Sequence, residues 1–243
     1  MRINILTYNI QHGLDYKLNK YDKIRKINLE KIANVIKDSK ADIVGLNEVY
    51  NYGKDNIDRC EQTKKLANLA NIKNFAFAEA IKVRGTDTYG NAFLSKFDIE
   101  SIKTIKVPSP EVHTEDVYYE DRVLLKADVN INGKILSCFI THFGLATEEQ
   151  ERMFEVVKKE IEKTNNPYIF MGDFNMTDDS YIIEKIKEMM NITIPNPIPT
   201  FNSIEPFKRI DYIFLSKDIK LIESEVINVI ASDHLPVKAI IEI

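Results

Sequence analysis

Residues 167–175 read Pro-Tyr-Ile-Phe-Met-Gly-Asp-Phe-Asn, and the interpretation of the whole chain starts from this stretch. The apolar run from Tyr168 to Met171 is typical of a short strand that is buried on both faces. Asp173 and Asn175 follow just beyond its end, and in extended backbone residues i and i+2 point the same way. The segment therefore predicts two polar groups held over a cleft. An ordinary turn explains it equally well, so the choice depends on the rest of the chain.

The composition is that of an ordinary soluble globular protein. The chain has 243 residues, of which 44% are hydrophobic and 29% charged, with a net charge of −4. This length fits one large or two small domains and can bury a sizeable core. Because there is no broad basic excess, tight sequence-independent binding to long nucleic acids is disfavoured, although a local basic cleft remains compatible with the sequence.

The cysteines and the first residues bear on the cellular compartment. Cys60 and Cys138 are the only cysteines, and they form neither a CxxC pair nor a zinc-site spacing, so we expect reduced thiols. The sequence begins without a long apolar segment or cleavage site, and no stretch approaches the length of a membrane span. These features predict a cytoplasmic protein with no membrane span.

Periodicity predicts the principal elements. Apolar residues at helical spacing predict helices over residues 22–39, 64–70, 147–163 and 180–190. Thr147 followed by Gln150 is similar to a capping box, and Asn132-Gly133 between alternating runs predicts a hairpin. An irregular acidic segment is expected over residues 108–121.

Two parts of the chain have the same order of elements. A strand ending at Asn9, a helix and a strand ending at Glu48 are echoed by a strand ending at His142, a helix and the strand ending at Asp173. The echo predicts two sheets packed face to face with helices outside. Strand–helix–strand units are common, so coincidence is the alternative.

Polar residues recur at the ends of the predicted apolar strands. A lone histidine is more often a satisfied structural residue than a catalyst, and a glutamate after a strand usually faces solvent. Asp211 lies in an apolar run, where burial without a partner is costly. So many placements in one chain indicate a shared site. The set is Asn9, Glu48, His142, Asp173, Asn175, Asp211, Asp233 and His234.

Hydrolysis of a phosphate ester suits this set of side chains. Oxygen and amide ligands without thiols favour Mg²⁺ or Mn²⁺ over zinc, and such an ion stabilises charge on phosphoryl and leaving-group oxygens. A histidine near a carboxylate can act as an acid or stay charged. Covalent serine chemistry is disfavoured because the sequence has neither a Gly-rich phosphate loop with Lys-Ser/Thr nor a G-x-S-x-G turn.

Seven motifs together resemble the endonuclease/exonuclease/phosphatase superfamily, which includes DNase I, AP endonucleases, neutral sphingomyelinases and inositol phosphatases. They occur in family order and span nearly the whole chain. The motifs are Thr7-Tyr8-Asn9-Ile10, Leu46-Asn47-Glu48-Val49, Gly90-Asn91-Ala92-Phe93-Leu94-Ser95, Thr141-His142-Phe143, Gly172-Asp173-Phe174-Asn175, Arg209-Ile210-Asp211-Tyr212-Ile213-Phe214 and Ser232-Asp233-His234-Leu235-Pro236-Val237.

The resemblance implies the fold and the metal site. The fold would be a DNase I-like four-layer α/β/β/α sandwich of two mainly antiparallel sheets, forming one catalytic domain over residues 1–243. The site would lie where loops of the two sheets meet. Glu48 would be the principal ligand of Mg²⁺ (or Mn²⁺), with Asn9 and Asp233 nearby.

The resemblance also implies catalytic roles. Asp173 would orient or activate the attacking water, and Asn175 would hold a phosphate oxygen. Asp211 and His234 would form a dyad that clamps the phosphate and raises the basicity of the histidine. His142 would lie on the leaving-group side.

Two further phosphate-binding residues are implied by position. Arg122, in Asp121-Arg122-Val123, resembles the family's phosphate-binding arginine, although an arginine at a strand start is most often just exposed. His12 follows Asn9 closely and would line the same cleft, but an ordinary loop histidine fits equally well.

Departures from subfamily motifs bear on the substrate. AP endonucleases carry Tyr-x-Pro-Asn where this chain has Thr141-His142-Phe143-Gly144, and the tryptophan of the inositol 5-phosphatase motif is missing. The pattern looks most like compact bacterial metal-dependent hydrolases. We therefore expect a Mg²⁺- or Mn²⁺-dependent phosphoesterase that acts on a phosphodiester, or alternatively a phosphomonoester, of a small molecule or lipid headgroup. A DNA or RNA nuclease is one alternative, and a catalytically silent binding module on the same fold is another. No protein partner is evident.

Overall fold

The computed structural model describes residues 1–52 and 60–243, and for Arg84 the backbone alone. Within this part of the chain, two six-stranded sheets lie face to face. The strands are β1 (Arg2–Asn9), β2 (Ile43–Asn51), β3 (Asn74–Arg84), β4 (Asp87–Ser95), β5 (Asp98–Val107), β6 (Arg122–Ile131), β7 (Lys134–His142), β8 (Tyr168–Asp173), β9 (Asn191–Ile192), β10 (Asp211–Leu215), β11 (Lys220–Val226) and β12 (Val237–Glu242). The helices are α1 (Leu29–Asp38), α2 (Gln62–Ala70), α3 (Thr147–Ile161) and α4 (Tyr181–Met189).

The two sheets have equivalent strand orders. One runs β11-β12-β1-β2-β4-β3 and the other β5-β6-β7-β8-β10-β9. Each has one parallel pair at its centre, β1 with β2 and β7 with β8, and the other neighbours are antiparallel. Parallel neighbours need a crossover connection, which α1 and α3 supply. The predicted echo of two strand–helix–strand units is therefore confirmed.

Apolar side chains divide the molecule into four layers. The core between the sheets includes Ile5, Leu125, Ile140 and Met171, all fully buried. Helices α1 and α2 cover the outer face of the first sheet, and α3 and α4 cover that of the second. The predicted four-layer sandwich is confirmed. None of the described helices is long and apolar enough to cross a membrane.

The helix predicted over residues 22–39 was placed too early, because it begins at Leu29. The Asn28 side chain accepts a hydrogen bond from the amide three residues further on, at 3.1 Å, and an asparagine cap of this kind fixes a helix start. Ile24, which the helical spacing put on the apolar face, is 53% exposed. Apolar residues before Asn28 have helical spacing by chance, but they precede the cap and therefore lie outside the helix.

Two local predictions have different outcomes. The hairpin at Asn132-Gly133 is confirmed, and both residues have the positive φ that a tight two-residue turn requires. The predicted capping box of Thr147 and Gln150 is wrong by one residue. Ala146 is the cap, and its amide donates to the Glu149 carboxylate at 3.3 Å, so Thr147 is the first helical residue.

Candidate active site

Strand alternation carries polar side chains into the gap between the sheets. Ile5 faces the inner core, so Asn9, an even number of residues further along β1, lies on the same face. The same relation holds for His142 in β7, Asp173 in β8 and Asp211 in β10. Asp173 pairs in register with His142 on one side and with Asp211 on the other. These side chains therefore meet at one edge of the sandwich.

Glu48 reaches this edge through a β-bulge. It was predicted to follow the end of β2, but the strand continues to Asn51. Asn47 and Glu48 together oppose the single residue Asn91 of β4, and Glu48 has φ +58°. The bulge re-aims the Glu48 carboxylate out of the normal alternation and into the cleft, as bulges beside functional sites commonly do.

Asn47 links the two sheets beneath the site. Its side-chain amide donates to Asn91 Oδ1 at 2.8 Å and to the Thr141 carbonyl at 2.7 Å, and its Oδ1 accepts from the Asp173 amide at 2.9 Å. Asn91 in turn donates to the Val123 carbonyl at 2.9 Å. These buried bonds fix the relative position of β2, β7 and β8, and thus of the residues that they carry.

Asp211 and His234 form a buried pair. His234 Nδ1 lies 2.8 Å from Asp211 Oδ2, and its Nε2 lies 3.6 Å from Asp173 Oδ2. Burial lowers the pKa of His234, but the carboxylates of Asp211, Asp173 and Asp233 outweigh it and raise the pKa to about 10. The imidazole is therefore protonated at neutral pH, with Nε2–H directed at Asp173.

Asp173 is the common neighbour of the cluster. Its Oδ2 accepts a hydrogen bond from the Asn9 side chain at 2.9 Å, and its Oδ1 accepts one from the backbone N–H of Asn175 at 2.9 Å. Burial raises the pKa of Asp173 to about 6, against the opposing charge of His234. A carboxylate with a pKa close to neutral is suited to accept a proton.

His142 is in the opposite state. Arg122 Nη1 lies 3.2 Å from His142 Nδ1, and a guanidinium only donates, so Nδ1 accepts and the ring proton lies on Nε2. Burial and the charges of Arg122 and His234 hold the pKa of His142 well below its usual range. Its Nε2 lies 3.5 Å from Asp173 Oδ2, which can accept the ring proton. The side-chain nitrogen of Asn175, itself a donor, lies 3.2 Å from Nε2 and donates to the Phe143 carbonyl at 3.0 Å.

Arg122 is buried in the wall of the cleft, whereas an arginine at a strand start is ordinarily exposed. Its Nη1 lies 3.0 Å from Glu120 Oε2, which balances part of its charge. Among the described residues, no group accepts a hydrogen bond from Arg122 Nε. This buried donor is therefore unsatisfied.

The acidic residues nearest the bulge fit a hard divalent cation. Asn9 Nδ2 donates to Glu48 at 3.0 Å, and Gln11 donates to Asp233 at 2.8 Å. Burial raises the pKa of Glu48, and it raises that of Asp233 to about 6. A bound cation would offset the repulsion between these partly buried carboxylates, and carboxylate oxygens are the ligands that Mg²⁺ and Mn²⁺ prefer.

A second group of potential ligands consists of Asp173, Asp211 and His234, whose donor atoms lie within 4.8 Å of one another. His234 is an unsuitable ligand there because its Nδ1 faces Asp211 and the ring is protonated at neutral pH. A metal ligand has to be a neutral imidazole. The trio is better described as an acid–base cluster that lies beside the carboxylates of Glu48 and Asp233.

These groups open into a cleft of about 330 Å³. Of the ten residues implied by the sequence, seven line it: Glu48, Arg122, His142, Asp173, Asn175, Asp233 and His234. Asn9 and Asp211 lie directly behind, in contact with Asp173 and His234. The cleft is also lined by residues that the sequence did not suggest: Tyr89, Tyr118, Glu120, Leu145, Phe201, Lys208 and Ile210.

His12 is not brought into the lining of the cleft. Its ring stacks on Tyr50 with centroids 5.0 Å apart, and Tyr50 in turn meets Tyr89 edge-on. Burial, followed by the charge of Arg25, lowers the pKa of His12 to about 4, so the ring is neutral at pH 7. Direct binding of a phosphate by His12 stays a prediction, without support from this arrangement.

A sequence model of the Endonuclease/Exonuclease/phosphatase family matches residues 6–234. No curated protein matches the chain in sequence. An endonuclease/exonuclease/phosphatase from Beutenbergia cavernae has a TM-score of 0.81 at 21% identity, covering 100% of this chain and 72% of that chain. An endonuclease/exonuclease/phosphatase from Bacteroides vulgatus has a TM-score of 0.79 at 21% identity, and the match covers 100% of this chain and 99% of that chain.

A mannosyl-6-phosphatase from Bacteroides thetaiotaomicron is also similar. Its TM-score is 0.76 at 16% identity, and the match covers 99% of this chain and 100% of that chain. At these identities the solved structures show a common fold. Because the family model spans nearly the whole chain, including every strand that carries the site, the chain belongs to the endonuclease/exonuclease/phosphatase family.

Proposed function

We propose that this protein is a divalent-metal-dependent phosphoesterase that hydrolyses a phosphodiester by direct attack of water. One observation carries the proposal. The buried carboxylate of Asp173 lies between a protonated histidine, His234, and a neutral one, His142, at 3.6 and 3.5 Å. All three line one cleft, beside carboxylates that suit a hard cation.

Asp173 is the base in this proposal. Its pKa of about 6 leaves it ionised at neutral pH and still able to take a proton from water. The hydrogen bonds from Asn9 and from the Asn175 amide hold the carboxylate in one orientation. A water molecule bound in the cleft next to Asp173 is thereby oriented towards a phosphorus atom.

The two histidines and Asn175 hold the phosphoryl group. His234 supplies a fixed positive charge, and Asp211 holds its ring so that Nε2–H faces Asp173 at the cleft. His142 offers a neutral Nε2–H, and Asn175 offers an amide without adding charge. Donors that are already oriented stabilise charge that develops in the transition state, because they need no rearrangement during the reaction.

Glu48 and Asp233 would hold Mg²⁺ or Mn²⁺, with Asn9 beside them. The ion, when bound, would neutralise charge on the phosphoryl and leaving-group oxygens.

A diester and a monoester differ in charge. A phosphodiester carries one negative charge and a monoester close to two at neutral pH. The described lining contains one more carboxylate than cations, a difference that a bound divalent ion reverses, so the cleft accommodates both ester classes and the assay below distinguishes them. The acidic residues are Glu48, Glu120, Asp173 and Asp233, and the cationic ones are Arg122, Lys208 and His234. The structurally similar mannosyl-6-phosphatase supports a phosphomonoester as the alternative.

A nuclease is the second candidate, and the exposed segment 17–26 favours it. The segment carries Lys17, Lys20, Lys23, Arg25 and Lys26 but only one acidic residue, and no ion pair joins these cations to described carboxylates. It lies near the site, since the Asp15 amide donates to the Lys26 carbonyl at 2.8 Å, and Gln11, four residues before Asp15, donates to Asp233 of the cleft at 2.8 Å. A polyanion leaving the cleft would meet these cations.

The proposal is tested with bis-(p-nitrophenyl) phosphate and p-nitrophenyl phosphate, each with Mg²⁺, Mn²⁺ or EDTA. We expect metal-dependent turnover of the diester, lost in EDTA and reduced about a hundredfold or more in Glu48→Gln. Glu30→Gln, which removes an exposed carboxylate from α1, is the matched control. Full turnover by Glu48→Gln would contradict the proposal. Metal binding by calorimetry without turnover of either ester would favour a silent binding module.

A further inference from the structure

A column of side chains leads from the acid–base cluster to the rim of the cleft. Phe201 packs on His234 with ring centroids 4.9 Å apart. The ammonium of Lys208 lies 4.9 Å from the centroid of Phe201 and 5.8 Å from that of Phe207. Phe201 also forms backbone bridges to both Lys208 and His234, which fixes the order of the column.

Lys208 differs from the two neighbouring arginines, Arg122 and Arg209, in its counter-charges. Arg122 is paired with Glu120, and Arg209 with Asp178. The Lys208 ammonium lies on two aromatic faces, and within residues 1–52 and 60–243 it forms no ion pair with a carboxylate. A ring face attracts a cation but does not cancel its charge, so this ammonium retains its capacity to bind an anion.

The position of Lys208 defines what it can reach. It lines the cleft, and Phe201 contacts both its ammonium and the ring of His234, which in the proposed function holds the phosphoryl group. A lysine often packs its stem on apolar groups and directs its charge to water. Here the ammonium lies over the rings, and the residue is half-buried in the wall of the cleft. Its ammonium is therefore positioned by the same ring that packs on His234.

We propose that Lys208 is a specificity residue that binds a second anionic group of the substrate. This inference rests on the proposed function and adds the substrate class, a small phosphoester that carries a further phosphate or carboxylate. The scissile phosphate would occupy the acid–base cluster, the connecting part of the molecule would pass Phe201, and the second anion would meet Lys208. Lys208 therefore distinguishes doubly anionic substrates from esters with a neutral remainder.

The test measures equilibrium binding, so it does not depend on turnover. The probes are pentylphosphonate, pentane-1,5-bisphosphonate and 6-phosphonohexanoate, which offer one phosphonate, two phosphonates, or a phosphonate and a carboxylate. Dissociation constants are measured by calorimetry with Mg²⁺ present. We expect at least one doubly anionic probe to bind the wild-type protein about tenfold more tightly than pentylphosphonate, and the preferred one identifies the second group.

Three variants locate this preference. Lys208→Met keeps the stem without the charge and is expected to remove the tenfold preference, while Lys208→Arg retains most of it. Lys185→Met is the matched control, since the Lys185 ammonium also lies on two rings, Tyr181 and Phe154, but on α4 away from the cleft. It should keep the wild-type preference.

Several results would overturn the inference. They are equal affinity of the wild-type protein for all three probes, no detectable binding of any of them, and an unchanged preference in Lys208→Met. An equal loss of affinity for singly and doubly anionic probes in that variant would overturn it as well. Turnover of bis-(p-nitrophenyl) phosphate is measured in parallel on the wild-type protein, so failure of this inference is distinguished from failure of the proposed function.

Discussion

The two histidines of the cleft differ in protonation because the charges facing them differ. His234 lies between the carboxylates of Asp211 and Asp173, which stabilise the imidazolium more than burial disfavours it. His142 is equally enclosed, but its nearest charge is the guanidinium of Arg122. Two residues of one type are thereby given complementary tasks, a fixed cation and a neutral donor, on either side of one carboxylate.

Asp211 is therefore expected to set the charge of His234. Asp211→Asn removes the carboxylate 2.8 Å from Nδ1, so the pKa of His234 should fall from about 10 towards, or below, the value of free histidine. In the wild-type protein the positive charge is kept at neutral pH and is lost only as the pH rises through about 10. Two-dimensional NMR of the imidazole resonances in EDTA follows this titration directly.

The control for this titration is Asp179→Asn, which removes a fully exposed carboxylate. It should leave the His234 resonances unchanged across the pH range. If His234 in Asp211→Asn still titrates near pH 10, other groups maintain its charge and the proposed role of Asp211 is wrong. The pH dependence of diester turnover should change together with the resonances, because His234 has to be charged to act as a clamp.

At the scale of elements, the close approach of β7 and β8 determines where Asp173 lies. Gly172 has φ +148°, and a Cβ at this position would overlap the carbonyl oxygen of Thr141. Glycine is therefore required immediately before Asp173, and the register that places Asp173 beside His142 depends on it.

Gly172→Ala is expected to lower the free energy of unfolding by about 3 kcal/mol or more, because both backbone strain and a backbone clash arise. Gly85→Ala is the matched control. Gly85 also has a positive φ, but among the described residues nothing lies within 4 Å of its added Cβ, so about 1 kcal/mol of strain is expected there. Urea denaturation gives both values. Equal losses in the two variants would show that the clash with Thr141 has been relieved by a small shift of β7.

The elements that the sequence predicted correctly are those in which local pattern and tertiary environment agree. The strand ending at Asp173 and the hairpin at Asn132-Gly133 are such cases. The helix start was misplaced because the Asn28 cap overrides apolar spacing. The bulge at Glu48 was missed because the extra residue is defined by its partner, Asn91, which is distant in the sequence.

At the scale of the whole molecule, the site is assembled from both sheets, which limits what a sequence can reveal. Motif residues at strand ends, such as Asp173 and His234, could be assigned to one cleft. Asn47 could not, because its importance lies in bonds to residues 44, 94 and 126 positions away. Glu120 and Lys208 lie in irregular segments, where no periodicity predicts the direction of a side chain.

The charge distribution of the molecule separates the two candidate functions. The chain has a net charge of −4, while the exposed segment 17–26 is locally positive. No residue of that segment lines the cleft, so a small diester bound there need not contact it. A nucleic acid extends beyond the cleft, and the cations of the segment would contact its phosphates.

Replacing Lys17, Lys20 and Lys23 by Gln tests this distinction. We expect kcat/KM for bis-(p-nitrophenyl) phosphate to stay within about twofold of the wild-type value, since these exposed side chains do not line the cleft. It should also change little between about 50 and 200 mM salt, because a small monoanion releases few counterions. Plasmid nicking is measured on the same preparations. The nuclease function would replace the small-molecule one if three results occur together. Nicking would be present in the wild-type protein, would fall roughly tenfold or more over that salt range, and would be lost in the triple variant while diester turnover persists. Only a polyanion needs both the cleft and the segment beside it.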